Sequence, residues 1–241
     1  VETTDEAWLY LKTDPITWID VEGLHDVELV RRLGECFDLH PLVLEDILHP
    51  SQRPKVEIHE GYLFLVLRMI SYDETERELA VEQVSFILGP RFVISFQEAG
   101  GDVFDGVRDR IRSKKGKIRR YGPDYLLYTL LDAVVDNYFL VLEAIGDELE
   151  ELEEALVDHP EPAVLQRLHK LKRETLRLRK SVWPLREVVN MLVREETPLV
   201  CEGTQIFFRD VYDHTIQVIE TAETMRDMVS GMLDVYLSSL S

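Results

Sequence analysis

The sequence predicts an α+β fold: a mixed, mainly antiparallel sheet flanked by helices, followed by a long antiparallel helical hairpin and a long C-terminal stalk helix. Three observations predict it. β-rich runs separated by turn residues crowd the first half. From Pro123, apolar residues recur at helical spacing through Leu156. After a proline-rich break, two further helical patterns continue to the end. The expected division is an α/β domain over 1–120, the hairpin over 121–200 and the stalk helix over 201–241.

Residues 16–21 (ITWIDV) read as a short strand, and Asp26 as the N-cap of a helix with Val27, Val30, Leu33 and Phe37 on one face. Pro41–Leu48 (PLVLEDIL) is a short helix with proline in its first turn. Tyr62–Ile70 and Val84–Leu88 are strands, and Gly89-Pro90 turns the chain into a third, Phe92–Phe96, which together make an antiparallel meander. The run Leu126, Leu130, Val134, Tyr138, Leu142, Ile145, Leu149, Leu152 and Leu156 implies one helix of more than about 30 residues.

The stretch Asp158-His159-Pro160-Glu161-Pro162 breaks that helix, and a second arm runs from about Ala163 to Val193, kinked at Trp183-Pro184. Acids on the first arm and bases on the second predict Glu154 near Arg167 and Glu150 near Lys170. Such exposed pairs are worth about 0–1 kcal/mol each, so they choose register more than they stabilise. The acidic run reads as a solvated or paired face, or else as a surface that attracts divalent ions. From about Thr204 the third helix would span about 55 Å. Val211, Val218, Met225 and Met232 are spaced by seven, as are Thr215, Ala222, Val229 and Tyr236. That repeat fits parallel neighbours in an oligomeric stalk or packing against the chain's own hairpin.

With 241 residues, 45% of them hydrophobic, the chain can bury a substantial core. It carries 27 basic and 46 acidic residues, a net charge of −19, which argues against a nucleic-acid or anionic-lipid surface spread over the molecule. Cations are its natural partners. Cys36 and Cys201 lie far apart without CxxC spacing, so neither a disulfide framework nor a zinc finger is expected. No stretch approaches the roughly 20 apolar residues of a membrane span, and the start lacks a signal-peptide layout. The ends at Val1 and Ser241 read as boundaries within a longer protein.

No phosphate-binding glycine loop, HExxH, GxSxG or Cys-His nucleophile arrangement occurs, so no enzyme is expected. A metal-dependent hydrolase would need clustered ligands and a general base. What remains are carboxylates: Glu45-Asp46, Asp132 with Asp136, and Asp210 with Asp213 and His214. Hard divalent ions take oxygen ligands, and magnesium keeps several waters, so one or two carboxylates make a usable weak site. Asp132 and Asp136 share a helix face, where their repulsion could be relieved by a cation or by an arginine. The basic run from Arg108 to Arg120 lacks interleaved aromatics and is a poor nucleic-acid platform; it reads as a solvated helix and loop or as a partner for acids elsewhere.

The motifs HPLVLEDIL (40–48), QRPKVE (52–57), EQVSFIL (82–88), SFQE (95–98), GDVFDGVRDRIR (101–112), DYLLYTLLDAVVDNYF (124–139), WPLRE (183–187) and FRDVYDHTIQ (208–217) closely resemble the CorA family of magnesium and cobalt transporters. They cover nearly the whole chain in the family's order. The resemblance implies a homopentamer in a cell membrane, with this part on the cytoplasmic side and its stalk helix continuing into a pore helix. The family's Gly-Met-Asn pore motif, second membrane helix and basic tail do not occur in these residues.

The resemblance also implies regulatory magnesium, with cobalt or calcium as substitutes, held between neighbouring subunits and closing the channel. Asp46 would face Asp210 of the next protomer in one site, and Glu45 and Asp132 would contribute to a second near His214. Bound ions would neutralise acids that otherwise repel across the interface. Zinc transport is a neighbouring reading within the family. From a different class, a helical scaffold would use the apolar stripe of the last helix to hold a partner.

Overall fold

The computed structural model describes residues 16–114, 116–158, 161–194 and 197–239. Its elements, in chain order, begin with strand β1 (Thr17–Glu22) and helices α1 (Val27–Cys36) and α2 (Pro41–Leu48). Strands β2 (Lys55–His59), β3 (Tyr62–Asp73), β4 (Glu78–Leu88) and β5 (Phe92–Gln97) follow. Helices α3 (Asp105–Arg112), α4 (Pro123–Asp158), α5 (Pro162–Val182), α6 (Leu185–Arg194) and α7 (Glu202–Ser239) complete the chain.

The five strands lie in the order β1-β5-β4-β3-β2. β2 to β5 form the antiparallel meander, and β1 joins its end parallel to β5, with Ile19 opposite Ile94. Parallel β1 is what makes the sheet mixed, as expected. The sheet is covered on both faces, so β3 is apolar at consecutive positions instead of alternating with polar ones. Tyr62, Phe64 and Val66 face a core shared with α1 and α2 (Val30, Leu33, Val43, Ile47). Leu63, Leu65 and Leu67 face a larger core that runs through α4, α5, α6 and α7. Gly34 lets α1 approach α2: a Cβ there would lie 2.4 Å from Leu44 Cδ1.

Capping follows the sequence. Asp26 accepts a hydrogen bond from the Leu29 amide at 2.9 Å, and Pro41 occupies the first turn of α2. Val27, expected on the buried face of α1, is 55% exposed, because the buried stripe begins at Val30. β2 was not anticipated, and the bend expected at Trp183-Pro184 is a full break between α5 and α6. The breaker residues 159–160 lie outside the described residues.

The hairpin register also differs. Arg167 pairs with Glu151 at 2.8 Å and approaches Glu148 at 3.7 Å, not Glu154, while Lys170 reaches across to Glu78 at 2.9 Å. Packing decides this: α7 runs along both α4 and α5 and lies against them more extensively than they lie against each other. The two heptad stripes of α7 are therefore filled by the chain itself. Val211, Val218, Thr215, Ala222, Val229 and Tyr236 are buried in this single chain. These positions pack within the chain, as the intramolecular reading of the repeat expects.

Helix α4 contains an 18-residue window of mean hydropathy 1.4 and is, by length and composition alone, able to cross a membrane. The sequence reading had found no such stretch. Here 56% of that window is buried in the protein, as befits a helix packed between sheet and α7.

Candidate metal centre

Helices α4 and α7 lie side by side, and their shared face collects the candidate ligands. Asp132 and Asp136 are one turn apart on α4, and His214 enters from α7. Ligand atoms of the three lie within 4.8 Å of one another. Asp132 and His214 are half-buried and Asp136 is exposed. Asp210 stands one turn before His214 on α7, exposed, and its charge is felt at Asp132 and Tyr128.

The site's electrostatics are unbalanced. Burial pushes the Asp132 carboxyl above its ordinary value, and the nearby Asp136 and Asp210 charges push it further, against weaker opposition from His214 and Arg110. The Tyr128 hydroxyl lies 3.4 Å from Asp132 Oδ2, and burial together with Asp132 pushes that phenol upward as well. The Nδ1 atom of His214 is buried and has no hydrogen-bond partner, with the ring edge against Phe139 at 6.0 Å. A desolvated carboxylate, a second carboxylate and an unpartnered imidazole nitrogen are what a divalent cation relieves at once. The donor set fits such an ion: carboxylates suit magnesium with waters retained, and the imidazole suits cobalt.

Glu45 and Asp46 sit elsewhere in the chain, on α2. Lys55 Nζ lies 2.6 Å from Asp46 Oδ2 and also pairs with Glu57, which in turn faces His59 at 3.3 Å. Burial pulls the Lys55 ammonium down, but its two carboxylates outweigh that and hold it above its usual value. Gln83, buried in β4, anchors this corner by donating to the Asp46 carbonyl at 2.9 Å and accepting from the Gln52 amide at 3.1 Å. Glu45 is exposed on the same helix. Within one chain, then, Asp132, Asp210 and His214 come together, while Glu45 and Asp46 form a separate group. Asp136 belongs with the first set; its spacing from Asp132 had marked it.

A second acidic cluster, Asp20, Glu22 and Asp102, is filled from within. Arg108 pairs with Asp20 and Asp102, donates to Asp102 Oδ1 at 2.7 Å, and stacks 5.4 Å from the Trp18 ring. One member of the basic run is thus a partner for acids elsewhere. The guanidinium already supplies the cation here.

The family described as CorA-like Mg2+ transporter protein matches residues 14–241. The cobalt/magnesium transport protein CorA of Thermotoga maritima is 56% identical over 225 residues, which cover 93% of this chain and 64% of that protein. The solved soluble domain of CorA from Methanocaldococcus jannaschii superposes with a TM-score of 0.76 at 23% identity, over 88% of this chain and 84% of that one. The cytoplasmic domain of ZntB from Vibrio parahaemolyticus gives a TM-score of 0.76 at 17% identity, over 94% of this chain and 88% of that one. At these identities the two structures speak to the fold alone.

Proposed function

Since the chain belongs to the CorA-like Mg2+ transporter family, we propose that it is the cytoplasmic, divalent-cation-sensing part of a membrane transporter for magnesium and cobalt. The observation that carries this reading is the convergence of Asp132, Asp136 and His214 ligand atoms within 4.8 Å of one another, at a carboxyl destabilised by burial and by Asp136.

In the assembled transporter, a homopentamer, bound magnesium neutralises acids that face across subunits. Asp46 meets Asp210 of the next protomer in one site; Glu45 joins Asp132 near His214 in the other. The separation of the α2 group from the α4–α7 group in one chain supports a bridge between chains. Support for neighbours along the stalk comes from a third heptad line on α7, Phe207, His214, Thr221, Met228 and Val235, which its own chain leaves partly or fully exposed. Met228 and Val235 are 46% and 57% exposed. Ion binding favours the closed arrangement, and by linkage the closed arrangement binds the ion more tightly than the open one. This chain spans 64% of the length of its Thermotoga relative.

A magnesium titration followed by thermal melting tests the reading. The native chain gains stability with magnesium; Asp46→Ala and Asp210→Ala reduce the gain in the oligomer. Unchanged affinity and melting in both variants would refute the inter-subunit site. A second reading within the family, zinc as the transported ion, draws on the imidazole donor, which zinc accepts readily. Competition between zinc and magnesium in transport by the whole protein separates the two.

A further inference from the structure

One basic surface takes no part in the metal chemistry. Two clefts of about 360 and 270 Å³ adjoin at Arg53 and Lys180, which line both. The first is completed by Arg179, Trp183 and Pro184, and the second includes Arg68 and Arg177 among neutral residues such as Gln52 and Ser181. It lies at the break between α5 and α6, beside the segment that enters β2.

On a chain of net charge −19 these cations are poorly compensated. Arg53 and Lys180 are exposed, and neither makes a hydrogen bond or ion pair among the described residues. Arg177 is bound to Glu174 at 2.8 Å, Arg179 Nε is 3.4 Å from Glu223, and Arg68 donates to the carbonyls of Pro50 and Gln52. The positive charge of Arg53 and Lys180 is therefore unspent. Beside them stands an aromatic ring. Trp183 is 45% exposed, and the Arg179 guanidinium lies 4.9 Å from its ring centroid. Exposing a tryptophan has a solvation cost, which a planar ligand stacked on it would remove.

Arginine and lysine in a concave site match phosphate oxygens, and an accessible ring beside them matches a base. The larger cleft falls within the roughly 300–1,000 Å³ typical of small-molecule sites. A long nucleic acid would meet the acidic remainder of the chain, whereas charges beyond about 8 Å are screened from a small ligand. We propose that this groove binds a nucleoside polyphosphate, its base stacked on Trp183 and its phosphates held by Arg53 and Lys180 with Arg177 alongside.

Calorimetric titration of the 241-residue chain with ATP, inorganic triphosphate and adenosine tests this. It is run once with a chelator present and once with magnesium in large excess, so that metal capture by ATP is separated from binding. The expected result is saturable ATP binding in both buffers, with triphosphate weaker by about fivefold or more and adenosine not measurable. Arg53→Ala and Lys180→Ala each weaken ATP and triphosphate by about tenfold. Trp183→Ala weakens ATP by about fivefold or more without changing triphosphate, and Trp183→Phe restores most of the loss. Circular dichroism confirms that each variant is folded; Arg53 and Lys180 are exposed, so those two do not depend on core packing. Absence of saturable ATP binding, or ATP affinity unchanged in folded Arg53→Ala and Lys180→Ala, overturns the proposal. Equal affinity for ATP and triphosphate overturns the role of Trp183.

Discussion

Asp132→Asn keeps the shape of its side chain and removes one of two facing negative charges. In the metal-free chain, the ligand oxygens of Asp132 and Asp136 lie within 4.8 Å of each other. At an effective dielectric of about 20, two unit charges at that distance repel by about 3.5 kcal/mol. Asp136 is exposed, and solvent screening reduces the repulsion to about 1 kcal/mol. The sign of the pH effect follows. A carboxyl raised above its unfolded value costs stability while ionised, and the cost is relieved as pH falls through the raised folded value. A bound cation relieves the same repulsion, so protons and metal compete. Asp132→Asn is therefore expected to raise the melting temperature of the metal-free chain by about 2–4 °C. It is also expected to remove most of the gain that magnesium binding at this site would give the native chain, about 2.7 kcal/mol at one hundred times Kd. Differential scanning calorimetry at neutral pH, with chelator and then with magnesium, reads both effects. A variant that melts lower without metal, and gains as much from magnesium as the native chain, would refute the reasoning.

Arg108→Ala leaves Asp102, whose side chain is 2% exposed, without its cation, and urea unfolding should show a loss of about 3 kcal/mol; a loss under 1 kcal/mol would contradict the internal-cation reading. Burial pushes the Asp102 carboxyl up, but Arg108 outweighs it and holds the group below 3.8. That stabilisation is present above about pH 4 and lost as pH falls through the folded value, and the acid limb should be shallower in Arg108→Ala. Lys55→Gln removes the competitor 2.6 Å from Asp46 and should tighten magnesium binding by the oligomer several-fold; the effect should vanish when Asp46→Ala is added. Tyr138→Phe removes the hydroxyl that a fully buried ring donates to the Arg68 carbonyl, and should cost about 1 kcal/mol in urea unfolding with no change in magnesium affinity.

What was legible in the sequence were the features with strong local patterns. The 36-residue α4 follows from its apolar period, and β3 to β5 from β-branched and aromatic runs bounded by turn residues. β2 was missed because five residues with Lys55, Glu57 and His59 on one face resemble a polar loop; their ion pairs are with one another and with Asp46. The parallel pairing of β1 with β5 joins positions some 75 residues apart, which no local pattern encodes. The hairpin ion pairs were misjudged because exposed pairs are too weak to choose register against packing. The heptad repeat of α7 reads alike whether its holes are filled by another subunit or by α4 and α5.

The candidate site divided in the same way. Asp132 and Asp136 were visible as a pair by helical spacing, and His214 and Asp210 by theirs. That the two pairs share one face depends on α4 packing against α7, which is tertiary information. Lys55 as the partner of Asp46 was unreadable for want of β2.

Cobalt placed by its anomalous scattering in crystals of this chain tests the central claim most directly. The account predicts a peak bonded to the imidazole of His214 and a carboxylate oxygen of Asp132 or Asp136, lost in crystals of Asp132→Asn. Cobalt bound only at other surface carboxylates, with His214 Nδ1 still unpartnered, would contradict it.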